Sequence, residues 1–211
     1  MKVAVIGAGT MGAGIAQTFA QAETVDKVYL CDIKTEFAEG GLAKIKKSID
    51  KLVTKGKIDQ AKADAIIGKI QTGLNDICTD ADLVVEAALE VMDIKKNLFK
   101  ELEENIVKNP DCIFASNTSS LSITEIGAGL PKPVIGMHFF NPAPVMKLVE
   151  VIQGANTPAE DVEKIKKISE DLGKTPVQVN EAAGFVVNRI LVHDQRRYLR
   201  IFRGRFRYSG Y

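Results

Sequence analysis

A chain of 211 residues with 45% hydrophobic and 26% charged side chains has the make-up of a globular protein large enough to bury a substantial core. It contains no run of about 18 apolar residues, which excludes a transmembrane helix, and its N-terminus enters a strand at once without signal-peptide architecture. Cys31, Cys78 and Cys112 are odd in number, lack metal-ligand spacing and sit in apolar surroundings, so buried, reduced thiols in a cytoplasmic protein are expected.

The first element is the short apolar strand KVAVI, followed directly by GAGTMG and the apolar helix GIAQTFAQA. Gly7, Gly9 and Gly12 thus stand in G-x-G-x-x-G spacing, with Thr10 and Met11 between them, at a strand-to-helix turn. The three glycines do different physical work. Gly7 permits the tight turn, Gly9 lets backbone approach a pyrophosphate, and Gly12 lets the helix pack closely on the strand. The helix N-terminus offers N–H donors and a partial positive charge to phosphates. A second strand, KVYLCDI, ends on Asp32, twenty positions past Gly12, where a carboxylate can accept hydrogen bonds from a ribose diol. Asp32 should repel a 2′-phosphate and so favour NAD over NADP, with Lys34 as an opposing charge two residues on.

A long lysine-rich helix is expected from about Thr35 to Lys55, a second from about Asp59 to Lys69, and then a strand at IQTGL. DLVVEAAL is continuously apolar rather than alternating and reads as a buried parallel strand. DIKKNLFKELEENIV reads as an amphipathic helix and CIFASN as another buried strand. After Gly136, MHFFNP and MKLVEVI are strands joined by a turn at NPAP. A helix over about Pro158–Leu172 and the strand TPVQVN follow. This rhythm implies an α/β fold: a doubly wound, mostly parallel Rossmann-type sheet with added strands, some of them antiparallel.

His138 and Glu150 lie near facing ends of the two strands around the NPAP turn, which can bring imidazole and carboxylate together. Such a carboxylate fixes the tautomer and supports the imidazolium, leaving the other ring nitrogen as a base. Spacing alone does not establish the pair, because a histidine at a strand end is often structural. Ser116, Asn117, Thr118, Ser119 and Ser120 follow the strand CIFA, at the carboxyl edge where ligands collect, although NTSS also suits an ordinary helix cap. Asn188 sits among apolar residues in GFVVNR, so its amide needs a partner, either in the core or on a substrate.

Taken together, GAGTMGAGIA, VVEAALE, ASNTSSL, HFFNPAPVMKLVEV and GFVVNRIL resemble the bacterial 3-hydroxyacyl-CoA dehydrogenases, those acting on 3-hydroxybutyryl-CoA in particular, over about residues 1–191. The resemblance implies hydride transfer between NAD(H) and C3 of a short-chain 3-hydroxyacyl-CoA, with His138 as general base and Glu150 orienting it. It also implies that Ser119 and Asn188 bond the substrate oxygens, and that Asn117, Asn141, Glu90 and Lys95 line the nicotinamide and its ribose. Asp32 would hold the adenine ribose, and Ser48 and Lys55 would contact coenzyme A. No metal, membrane or nucleic-acid partner is implied, and full-length members of the family are expected to be homo-oligomers.

The resemblance stops where the chain reads VHDQRRYLRIFRGRFRYSGY; every lysine lies at or before Lys174 and every arginine at or after Arg189. Residues 1–185 are expected to form the NAD-binding domain, with 186–211 the start of a helical domain running into an aberrant, frame-shifted basic tail. An evolved basic tail is the alternative, and nucleic-acid binding through it would rest on charge alone. Without the family's helical C-terminal domain, a chain that binds NAD but turns over acyl-CoA poorly is the competing functional reading.

Overall fold

Eight strands make one sheet in the computed structural model, which describes residues 1–181. In chain order the elements are β1 (Lys2–Ile6), α1 (Thr10–Gln21), β2 (Lys27–Cys31), α2 (Thr35–Thr54), α3 (Gln60–Gly68) and β3 (Ile70–Gly73). They continue with β4 (Leu83–Glu86), α4 (Met92–Glu101), β5 (Ile113–Ser116), α5 (Ile123–Ile126), β6 (Val134–Phe139), β7 (Leu148–Gln153), α6 (Ala159–Asp171) and β8 (Thr175–Asn180). The expected α/β rhythm is therefore present; Asn188 and the arginine-rich stretch lie outside the described residues.

Spatially the strands run β3-β2-β1-β4-β5-β6-β7-β8. The first six are mutually parallel, β7 is antiparallel to β6, and β8 is parallel to β7. After β3 the chain crosses to the far side of β1, so strand order reverses between β1 and β4. That reversal opens a crevice at the carboxyl ends of the two strands.

The central strands β1, β4, β5 and β6 are buried on both faces, as their continuously apolar sequences require, whereas the edge strand β8 is largely exposed. Val3 and Val5 of β1 face one core with Ile15 and Phe19 of α1, Ile45 and Ile49 of α2, and Val162 and Ile165 of α6. Ala4 and Ile6 face the other, with Phe99 of α4 and Ile123 and Ile126 of α5. Two local departures from the sequence reading have clear causes. The apolar run DLVVEAAL is strand only through Glu86: Ala87 N–H makes a last ladder bond to Ile6 O, and Ala87 and Ala88 then line the cleft. The helix expected through Val107 widens into a π-turn at Leu102–Ile106, where Val107 N–H reaches Leu102 O at 2.7 Å and both Leu102 and Ile106 stay buried.

Candidate active site

The glycine turn is built as its spacing requires. Gly7 has φ +99°, and a β carbon there would lie 2.6 Å from Ala87 O in the loop after β4. A β carbon on Gly12 would stand 1.6 Å from Gly7 O, so any larger residue would force helix and turn apart. Gly9 caps α1, and a β carbon on it would meet nothing within 4 Å. That space adjoins a helix N-terminus with no side-chain cap and no acid in its first turn, so its N–H groups and positive dipole end are open to an anion. These features fit the pyrophosphate of a dinucleotide.

Asp32 lies just past β2, half-buried, with Oδ2 accepting from Ala8 N–H and Oδ1 from Ile33 N–H, each at 2.7 Å. The carboxylate thus fastens the glycine turn to the second strand. Its remaining lone pairs can accept from a ribose diol. Thr10 is exposed at the start of α1.

A cleft of about 390 Å³ opens along the same edge of the sheet. Met11 of α1, Ala87 and Glu90 after β4, Asn117 and Ser119 after β5, and His138 of β6 with Phe140 and Asn141 line it. The topology gathers them, because each lies near the end of, or follows, a parallel strand at its carboxyl edge, Met11 after β1.

His138 and Glu150 are direct cross-strand partners in the antiparallel β6–β7 pair. His138 Nδ1 lies 2.8 Å from Glu150 Oε2, with both side chains buried. An ionised carboxylate only accepts, so with Glu150 ionised this contact is made by a proton on Nδ1. The Phe140 ring packs on the imidazole, with centroids 4.6 Å apart. Asn117 Oδ1 accepts from Phe139 N–H at 2.8 Å and so ties the end of β6 to the loop after β5.

Glu90 organises that loop. Its Oε1 accepts from Thr118 Oγ1 at 2.6 Å, from Ser119 N–H at 2.8 Å, and from the Ser119 and Ser120 hydroxyls at 3.3 Å each. Burial pushes the Glu90 carboxyl up, but these donors and the Lys95 charge outweigh it and hold it below its usual range. Lys95 lies behind the cleft wall, 1% exposed, 2.6 Å from Glu86 and 3.3 Å from Glu90. It faces the cleft only through Glu90. Ser48 is half-buried on α2 and Lys55 is exposed just past its end; neither lines the cleft.

Several participants escaped the sequence reading. Glu86 closes the apolar strand LVVE and is fully buried, and a charge at that position needs partners. Lys174 is buried with its ammonium donating to Ala143 O at 2.6 Å and Met146 O at 2.8 Å, bracing the turn between His138 and Glu150. Its pattern in sequence is that of any surface lysine.

Known proteins are similar to this chain in sequence and fold. The chain is 47% identical over 195 residues to 3-hydroxybutyryl-CoA dehydrogenase of Clostridioides difficile, covering 91% of this chain and 68% of that one. A probable 3-hydroxybutyryl-CoA dehydrogenase of Deinococcus radiodurans is 48% identical, with the same coverage. The crystal structure of (S)-3-hydroxybutyryl-CoA dehydrogenase from Ralstonia eutropha superposes with a TM-score of 0.85 at 39% identity, covering 90% of this chain and 67% of that one. This chain therefore spans about two thirds of the length of these relatives. Residues 2–182 match the NAD-binding domain of 3-hydroxyacyl-CoA dehydrogenase, in agreement with the glycine turn and the crevice beside it, and the chain belongs to that family of NAD-dependent oxidoreductases.

Proposed function

We propose that the protein interconverts a short-chain 3-hydroxyacyl-CoA and its 3-ketoacyl-CoA, 3-hydroxybutyryl-CoA and acetoacetyl-CoA being the pair favoured by its relatives. The observation that carries this reading is His138 in the wall of the cleft that Met11 of the glycine motif also lines, with Glu150 2.8 Å behind it. Gly7, Gly9, Gly12 and Asp32 would hold NAD, which when bound would supply the hydride acceptor or donor for C3.

The chain's own residues manage the proton. Glu150 accepts from Nδ1–H and aims the imidazole, so that Nε2 takes the 3-hydroxyl proton as the carbonyl forms. The resulting imidazolium is stabilised by the adjacent carboxylate. In the opposite direction the same Nε2–H returns the proton to the developing alkoxide. Ser119 and Asn188 hydrogen-bond the substrate oxygens, Asn117, Asn141 and Glu90 border the nicotinamide riboside, and Ser48 and Lys55 contact coenzyme A. Residues 1–185 act as the cofactor domain.

The test is acetoacetyl-CoA-dependent oxidation of NADH, followed by nicotinamide absorbance, for the unsubstituted chain and for His138→Gln. A loss of about 10²–10⁴-fold in kcat with NADH affinity retained is expected for the variant. Glu150→Gln should act in the same sense, chiefly on kcat. Equal rates in all three proteins, or an unsubstituted chain that binds NADH without oxidising it, would reject the reading.

A further inference from the structure

Glu86 is the most completely buried charge beside the cleft and belongs to no role yet described. Its side chain is 0% exposed. Oε1 accepts from Lys95 Nζ at 2.6 Å and from Ala88 N–H at 2.7 Å, and Oε2 accepts from Ser116 Oγ at 2.5 Å. It therefore joins β4, β5 and α4 behind the cleft without lining the cleft itself.

Removing two charges from water is expensive, and well-packed apolar residues serve a core at least as well. The arrangement here is asymmetric in a useful way. Lys95 stands between two carboxylates, one fully buried and one on the cleft wall: Glu86 at 2.6 Å and Glu90 at 3.3 Å. The Glu90 carboxylate in turn holds Thr118 and Ser119 of the loop after β5. Without the Glu86 charge, the ammonium would have a single anionic partner left, Glu90. It would draw that carboxylate inward, away from the hydroxyl and amide donors of the loop.

We propose that Glu86 is a positioning residue for cofactor binding: by holding Lys95 back, it keeps the Glu90 carboxylate presented to the cleft and bonded to Thr118 and Ser119. This rests on the placement of Glu90 beside the nicotinamide riboside proposed above. Glu86→Gln is the informative substitution, because its amide oxygen still accepts from Ala88 N–H while the charge facing Lys95 is gone.

The experiment is a double-mutant cycle on NADH affinity, measured by fluorescence titration of the full chain with Glu86→Gln, Glu90→Gln and both together. Glu86→Gln should weaken NADH binding about tenfold alone and have little further effect when Glu90 is already Gln. A purely structural ion pair would lower the melting temperature equally in both backgrounds and leave the two affinity losses additive. Additive losses, or unchanged affinity in Glu86→Gln, overturn the proposal while leaving the dehydrogenase reading intact. Unchanged affinity in Glu90→Gln removes the Glu90 placement and this inference with it. Ser116→Ala provides a second variant if Glu86→Gln does not fold, since it loosens the carboxylate without removing its charge. It should weaken NADH binding less than Glu86→Gln, and again only while Glu90 is present; an equal loss in both backgrounds counts against the proposal.

Discussion

Glycines of a single turn can have opposite sensitivities, and the turn after β1 separates Gly9 from Gly12 cleanly. A methyl at Gly12 would stand 1.6 Å from a backbone oxygen, so Gly12→Ala should cost about 1–3 kcal/mol or more, read as a lowered denaturation midpoint. A methyl at Gly9 meets no protein atom within 4 Å. Gly9→Ala should therefore leave the midpoint unchanged while abolishing NADH binding, because the methyl occupies the space a pyrophosphate needs. The thiols are a further case. Cys31, Cys78 and Cys112 are all free and buried, and burial pushes the Cys112 thiol up to about 12. An aromatic disulfide reagent should label none of the three in the native chain and all three after unfolding.

Among elements, the decisive unit is the hairpin of β6 and β7, since it sets His138 opposite Glu150. The turn joining them packs against α1, where a β carbon on Gly14 would be 3.3 Å from Ala143 and Pro144. Lys174, at the entry to β8, clamps the same turn through Ala143 O and Met146 O. Lys174→Met keeps the length of the stem and deletes both hydrogen bonds. It should lower stability by about 1–3 kcal/mol, measured by denaturant unfolding, with the cross-strand pairing of β6 and β7 preserved. The hairpin itself was legible in the sequence, because two apolar runs flank a proline-rich turn of limited length. Its brace was not, because the lysine comes from a residue about thirty positions further along the chain.

At the scale of the whole molecule, acid should loosen the polar links that carboxylates make between separate loops. Glu181 bonds Ser122 and Thr124, anchoring the chain beyond β8 to the start of α5. Burial raises its carboxyl, but those donors prevail and hold it below its ordinary value of 4.5. Glu90 is held down likewise. A depressed carboxyl contributes stability above its unfolded pKa and loses it as pH falls through its folded pKa. The melting temperature should therefore drop as pH is lowered below about 4.5, and Glu181→Gln should flatten part of that decline. Equal acid sensitivity in the variant would show that the Glu181 link does not matter.

The strand and helix order, the glycine turn and the hairpin that carries His138 and Glu150 were written in patterns spanning a few residues: apolar runs, glycine spacing and a proline turn; the cross-strand register that pairs the two side chains was not. Such patterns restrict the backbone locally, whatever the remainder of the chain does. The order β3-β2-β1-β4 across the sheet was decided by the tertiary structure. The partners of buried charges carried no comparable mark. Glu86 meets Lys95 and Ser116, and Lys174 meets Ala143, because separate elements converge at one edge of the sheet. A charged side chain looks the same in sequence whether it is solvated or enclosed; folding alone brings its counter-group within hydrogen-bonding distance and removes the water that would otherwise satisfy it.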